Sequence, residues 1–310
     1  MLRIVATDTK EERHSLSLPL SAVLSRDINT PADSLSLEFP SALWQELAFI
    51  SVYDDDKEIF SGVVDEQIII LHKNARTKLV CRSKAAFLLD NEAKPQSFRD
   101  VSAKLIFERY AKPFGFKLAD VEDASLKGSF VVKKGVSCWQ VLQDFSKAVW
   151  GAVPYVFGDT LFLNGKASES EVVFSDCGKG VAFTSLEYNR LRCKLISKVR
   201  VKLKSGEDYN ALVTSTDAQD RKVVRERYIN ATELSSKTLA DAERLIGASK
   251  TASEIIVLTV PFCMTDALAV CACVESSEIG RLDGFCVTGI RYSFSENEEF
   301  TRLTLKRKEN

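Results

Sequence analysis

Val52-Tyr53-Asp54-Asp55-Asp56-Lys57-Glu58-Ile59-Phe60-Ser61-Gly62-Val63-Val64 decides how the first third of this 310-residue chain is read. Apolar runs flank an acidic turn on both sides, the pattern of two strands joined by a tight reversal. Toward the N-terminus, Leu35, Leu37 and Phe39 alternate with Ser34, Ser36 and Glu38. That period of two buries one face of a strand and wets the other. Toward the C-terminus, Gln67-Ile68-Ile69-Ile70-Leu71 reads as a further strand, His72-Lys73-Asn74-Ala75-Arg76 as a polar turn and Thr77-Lys78-Leu79-Val80-Cys81-Arg82 as a strand again. Short strands separated by polar turns predict a small barrel or sandwich over residues 1–90.

From 91 to 175 the texture changes to α+β. Ser97-Phe98-Arg99-Asp100 predicts a helix start, with the helix running to about Lys112 and stopped by Pro113 and Gly115. Ser137-Cys138-Trp139-Gln140 is an S-x-x-Q capping box, and behind it Trp139, Leu142, Phe145 and Val149 form one apolar stripe. Gly151 and Pro154 end that helix; Val153 to Phe157, a Gly158-Asp159 turn and Thr160 to Leu163 predict a hairpin. The Trp139 stripe at helical spacing is core packing.

Strands return over 176–310. Cys193, Leu195, Val199, Val201 and Leu203 are expected on one face of a strand and Lys194, Lys198, Arg200, Lys202 and Lys204 on the other. A helix at about 238–250 opens at Thr238-Leu239-Ala240-Asp241 with Leu239, Ala242 and Ile246 on one face, and strands follow at 255–260, 268–274, 285–294 and 300–306. The two strand-rich ends share a weak echo, a glycine leading into an apolar run: Ile59-Phe60-Ser61-Gly62-Val63-Val64 and Leu282-Asp283-Gly284-Phe285-Cys286-Val287.

Composition narrows the function. Apolar residues make up 45% and charged residues 27%, enough to build a core. With 42 basic and 43 acidic residues the net charge is −1, without the basic excess of a protein built to grip phosphates. No apolar window is long enough for a membrane helix, and Met1 to Asp8 has no signal-peptide core, so the expectation is a protein made and folded in the cytoplasm. Cys81, Cys138, Cys177, Cys193, Cys263, Cys271, Cys273 and Cys286 contain no C-x-x-C pair and read as small buried hydrophobes in a reducing compartment.

No phosphate loop, nucleophile elbow or H-E-x-x-H motif is present. His14 falls in the charged run Lys10 to His14, expected to be a solvated loop, and His72 in a turn. Candidate carboxylate pairs are Asp54 to Asp56, Glu122-Asp123 and Glu298-Glu299, all expected in exposed turns. The basic face Lys194, Lys198, Arg200, Lys202, Lys204 could meet an acidic partner, but reads first as the solvent side of a strand whose lysines discourage edge pairing. The expectation is therefore no catalytic residues, no cofactor and no metal.

The order of segments resembles the hub proteins of contractile phage baseplates, the late-control protein D and Mu-type tail protein P group, relatives of the N-terminal part of type VI secretion spike proteins. The likeness rests on Val52 to Val64, Leu79-Val80-Cys81-Arg82-Ser83-Lys84, Leu88-Leu89-Asp90-Asn91, Lys134 to Leu142, Gly158 to Leu163, Ala240 to Arg244, Phe285 to Tyr292 and Phe300 to Leu305. It departs at Pro261 to Asp266, where many relatives are rich in glycine and proline. The resemblance implies a mainly β, α+β fold: two similar tube-type β-barrels at 1–90 and 176–310 around an α+β domain at 91–175. It implies a non-enzymatic homotrimer joining a sixfold tail tube to a threefold spike, in contact with baseplate wedge proteins. DNA would pass through its channel without sequence-specific binding. Such a protein assembles in the host cytoplasm and ends in the virion tail, without membrane insertion. The rival readings are a carboxylate-dependent cell-wall hydrolase and a carbohydrate-binding β module.

Overall fold

The structure, a computed structural model, describes residues 2–119, 124–203, 208–230 and 238–308. It is mainly β. The chain opens with β1 (Leu2–Asp8), β2 (Arg13–Leu16), β3 (Ser21–Asp27), β4 (Thr30–Phe39), β5 (Leu47–Asp54), β6 (Lys57–Ile70) and β7 (Arg76–Ser83). The middle holds α1 (Ala86–Asp90), β8 (Gln96–Ser102), α2 (Ala103–Tyr110), β9 (Lys117–Leu118), β10 (Ser125–Val132), α3 (Cys138–Val149), β11 (Tyr155–Phe157) and β12 (Thr160–Phe162). Then follow β13 (Ser168–Ser175), β14 (Ser185–Arg190), β15 (Lys198–Lys202), β16 (Ala211–Thr214), α4 (Thr216–Asp220), β17 (Glu226–Asn230), α5 (Thr238–Thr251), β18 (Glu254–Val260), β19 (Val270–Ser276), β20 (Gly280–Ser295) and β21 (Glu299–Arg307). Residues 1–168, 260–270 and 288–303 form one compact unit; 169–259, 271–287 and 304–310 form a second.

In the first unit the strands pair in the order β21-β20-β3-β4-β7-β6-β5-β1-β2, and β2 does not pair back to β21 among the described residues. Alternation works as the sequence suggests: Leu35, Leu37 and Phe39 of β4 are buried with Ile4, Leu24, Ile50, Val52, Leu79 and Tyr292 in one core. Asp55, at φ +50, makes the reversal between β5 and β6. The apolar runs on either side of Asp65, expected as separate strands, are one 14-residue strand, with its register shifted between Val64 and Glu66. Arg82 holds Asp65 at that irregularity, Nε to Oδ2 2.7 Å, so the chain bulges there without ending the strand.

A second core of the same unit collects α1, α2, α3 and the short strands, with Ile106, Leu142, Phe145, Leu161 and Leu163 fully buried. Ser137 caps α3 as expected, its Oγ accepting from Gln140 N at 3.2 Å, and Gly158 (φ +57) turns the β11–β12 hairpin. The helix start at Ser97 is not observed. Residues 96–102 are a strand pairing with β10, Phe98 opposite Phe130. Asp100 adopts φ +52 and accepts from Gly128 N at 2.8 Å, which fits a strand irregularity and not a helical turn. The cap is Ser102, whose Oγ accepts from Leu105 N, so α2 starts five residues later than Ser97 suggests.

In the second unit β14 pairs with β18, and β19 with β20 and β13. A three-stranded sheet places β15 between antiparallel β16 and parallel β17, and α5 covers it through Ala242 and Ile246 against Ile196, Val199 and Val201. Two expectations change here. The buried face of α5 is Thr238, Ala242, Ile246 and Ser249, while Leu239 is exposed, because the stripe steps by four and three from Thr238. The strand expected from Leu268 begins at Val270, since Ala269 sits at φ +61. Gly62 and Gly284 are also not equivalents. Gly62 lies flat against the Arg82 carbonyl, whereas Gly284 (φ +79) sits where the β19–β20 register shifts and has no backbone pressed against it.

Candidate functional surfaces

The first unit is organised about a buried arginine. Arg26 on β3 donates from Nε to Asp33 Oδ2 at 3.0 Å, from one terminal nitrogen to the Ile59 carbonyl and from the other to the Thr265 carbonyl. Both partners of the ion pair are buried, and Asp33 N donates to Ser83 Oγ at 2.9 Å. The guanidinium thus ties β3, β4, β6 and the 261–267 segment together in one polar node. Burial pushes the Asp33 carboxyl up, against the pull of Arg26. Nothing in the spacing of Arg26 and Asp33 announces this pair.

The candidate carboxylates separate. Asp55 and Asp56 form the β5–β6 turn, and Glu122-Asp123 lie outside the described residues. Glu298 is in the turn before β21; Glu299 is exposed as expected, but it opens that strand and accepts from the Tyr292 hydroxyl at 2.8 Å. Burial, Glu299 and the charge of Asp54 all raise the Tyr292 phenol. Burial, Asp54 and Glu299 likewise push the Cys263 thiol up to about 12. Asp54 and Glu299 therefore share a neighbourhood whose potential nucleophiles stay protonated, which suits packing and not covalent catalysis.

His14 is not in a solvated loop. It lies on β2, and its Nε2 is 2.9 Å from Asp8 Oδ2. Asp8 Oδ1 accepts from Lys10 N and Glu12 N, and these bonds, led by His14, hold its carboxyl below the ordinary range. Asp8, Glu12 and His14 offer ligand atoms within 4.8 Å of one another, the one such cluster among the described residues. The inward Asp8 already serves three donors, so the group reads as the lock of the β1–β2 turn. His72 accepts from Lys73 N through Nδ1 in its turn.

The basic face is shorter than the alternation suggests. Cys193 and Lys194 sit in a 3-10 turn, Leu203 is exposed, and Lys204 lies outside the described residues. Val199 and Val201 are buried while Lys198, Arg200 and Lys202 point the other way, and Arg200 pairs with Glu226. Because β15 is the central strand of its sheet, its lysines guard no edge. Of the eight cysteines only Cys81, Cys138, Cys273 and Cys286 are buried; Cys177 and Cys193 are exposed, which the reading as core hydrophobes misses.

The first unit also presents large apolar side chains to solvent. Trp44 is 68% exposed on the β4–β5 loop and Leu71 65% after β6, with Ile68 and Ile70 on one face of that strand. The loop is firmly built. Thr77 Oγ1 donates to Ser41 O and accepts from Leu43 N, and Gln67 Nε2 donates to Leu43 O and Gln45 O. A tryptophan held outward by satisfied hydrogen bonds is characteristic of a contact surface. Among the described residues no helix is long and apolar enough to cross a membrane.

This combination of an open strand ladder, an inserted helical layer and a second strand-rich unit is the fold of phage tail proteins. The chain is similar over 98% of its length to 98% of the 43 kDa tail protein of prophage MuSo2 from Shewanella oneidensis, with a TM-score of 0.79 at 15% identity. A tail protein from Neisseria meningitidis matches with a TM-score of 0.75 at 16% identity, over 99% of this chain and 96% of that one. A component of the Escherichia coli type VI secretion system, itself structurally similar to T4 tail proteins, matches 99% of this chain and 77% of its own at a TM-score of 0.54 and 9% identity. No protein-family model and no curated protein sequence matches the chain. The shared fold is mainly β with helices, the fold class that the baseplate-hub resemblance implies, and the described strands close no barrel.

Proposed function

We propose that this chain is the structural baseplate hub of a contractile phage tail or of a phage-derived injection particle. The observation that carries the reading is end-to-end fold correspondence with phage tail proteins. In this reading residues 1–90 and 176–310 are the two tube-type barrel modules and 91–175 the α+β domain between them. The core of the 2–81 strands, which also takes in Tyr292, is distinct from that of the 85–163 segment, which also takes in Ala32, and this supports a boundary in the first half near residue 85.

Three subunits would set six modules in a ring, matching a sixfold tail tube on one side and seating a threefold spike on the other, with wedge proteins around them. Symmetric closure buries surfaces that are incomplete in one subunit, and outward Trp44, Ile70 and Leu71 supply apolar area of the needed kind. A net charge of −1 suits a channel through which DNA slides, since phosphate affinity scales with basic contacts. Assembly in the host cytoplasm and residence in the virion tail follow from the role.

No enzymatic step is proposed. A cell-wall hydrolase would need two carboxylates across a substrate cleft, and Glu299 is instead engaged by the Tyr292 hydroxyl. Multi-angle light scattering of the purified full chain at micromolar concentration tests the hub reading. A mass of three subunits is expected; a mass of one subunit at every concentration refutes it.

A further inference from the structure

Within the second unit, Cys271 on β19 and Cys286 on β20 stand directly opposite each other in antiparallel register. Directly opposed residues on antiparallel strands have Cβ atoms about 4.5–5.5 Å apart, and a disulfide needs about 3.5–4.5 Å. Closing the gap takes a shift of about an ångström, on a ladder already irregular between Ala272 and Val274. Cys81, by contrast, faces Leu35 and Val64 across its strands.

The two thiols are also differentiated as an attacking and a resolving sulfur should be. Cys271 is half-buried and within reach of solvent, and its Sγ accepts from the Lys308 ammonium at 3.5 Å. Cys286 is only 5% exposed. Burial, reinforced by the charge of Cys271 and opposed by Lys308, pushes its thiol up to about 11. Cys286 therefore reacts only when a neighbouring sulfur has been activated for it.

We propose that Cys271 and Cys286 form a redox-closing pair that becomes a cross-strand disulfide when the protein meets a low-molecular-weight disulfide. The Cys271 thiolate attacks one sulfur of that disulfide, its S–S bond breaks, and one thiolate leaves and takes a proton from solvent. Cys286 then loses its proton to solvent and attacks the Cys271 sulfur of the mixed disulfide, releasing the second small thiol. Two protein thiols are oxidised by two electrons and the small disulfide is reduced to two thiols. A chain folded in a reducing cell would close this bond after release into oxidising surroundings, pinning the β19–β20 hairpin.

The test treats the reduced full chain with oxidised glutathione at pH 8 and maps its peptides by mass spectrometry. The exposed Cys177 and Cys193 serve as internal controls for glutathione addition. The wild type should show the Cys271–Cys286 cross-link and no adduct on either residue. Cys286→Ser should stall with glutathione on Cys271, whereas Cys271→Ser should leave Cys286 unmodified. Lys308→Gln should slow closure several-fold and still reach it. A stable adduct on Cys271 in the wild type, or modified controls with Cys271 and Cys286 both still thiols, overturns the proposal. Should a serine variant fail to fold, the wild-type map alone decides between these outcomes.

Discussion

Each of the two units holds a buried arginine–carboxylate node, and the two are built with opposite polarity. In the first, a buried cation, Arg26, meets one buried carboxylate and two backbone carbonyls. In the second, a buried anion, Glu254 on β18, is gripped by Arg221 at 2.8 Å on Oε1 and by Arg307 on Oε2, and both arginines keep contact with water. A guanidinium taken out of water needs all its donors satisfied, whereas a carboxylate fed by two half-exposed arginines needs only one end buried. The first node should therefore be brittle and the second forgiving.

The largest effect is expected at Arg26. Arg26→Met strands the Asp33 carboxyl and two carbonyl acceptors in a dry interior, which should cost about 3–5 kcal/mol in denaturant unfolding. A much smaller loss would show that water reaches the node. Next comes Gly62→Ala. A Cβ there would overlap the Arg82 carbonyl, whose carbon it would meet at 2.8 Å. Backbone must move, at about 3 kcal/mol. Glu254→Gln keeps the shape and loses the charge, for about 2 kcal/mol; Arg221→Ala alone should cost less than that, since Arg307 remains.

The smallest effect, about 1 kcal/mol, is expected for Gly284→Ala, which meets the left-handed backbone penalty and no clash, since the nearest atom to its Cβ would be an Arg307 side-chain nitrogen at 3.9 Å. Equal costs at Gly62 and Gly284 would restore the idea that the two glycines are counterparts.

Acid should separate the nodes further. For Glu254, burial works to raise the carboxyl, but hydrogen bonds from Arg221 and Arg307 outweigh it and the net value lies below the ordinary range. Its stabilisation is present above the unfolded-state value of about 4.3 and is lost as pH falls through the lower folded value. Asp33 runs the other way. Its raised carboxyl contributes stability that is complete below the unfolded value of about 3.9 and lost as pH rises through the folded one. Between about pH 5 and 3, amide exchange should accelerate around β18 before it does around β3 and β4. Glu254→Gln should flatten that difference.

What the sequence revealed followed distance along the chain. The alternation of Leu35, Leu37 and Phe39, the cap at Ser137 and the turn at Gly158-Asp159 are local patterns, and each appears in the structure where the pattern puts it. Ser97-Phe98-Arg99-Asp100 is equally local and failed, because pairing with β10 and the Gly128 N–H claim Asp100 for a strand. The nodes at Arg26 and Glu254 were invisible, since their partners Thr265, Arg221 and Arg307 lie tens to hundreds of residues away and arginine–acid pairs carry no spacing rule. His14 was misjudged for a related reason. A charged run suggests solvent, but the β1–β2 pairing folds it back onto Asp8.

The central proposal is that one polypeptide carries two like-folded modules and that three copies imitate sixfold order. Electron cryomicroscopy of the purified oligomer tests it most directly. Averages viewed down the axis should show threefold symmetry with six similar densities around an open channel. Particles holding a single chain, or a ring with one module per subunit, would contradict the account.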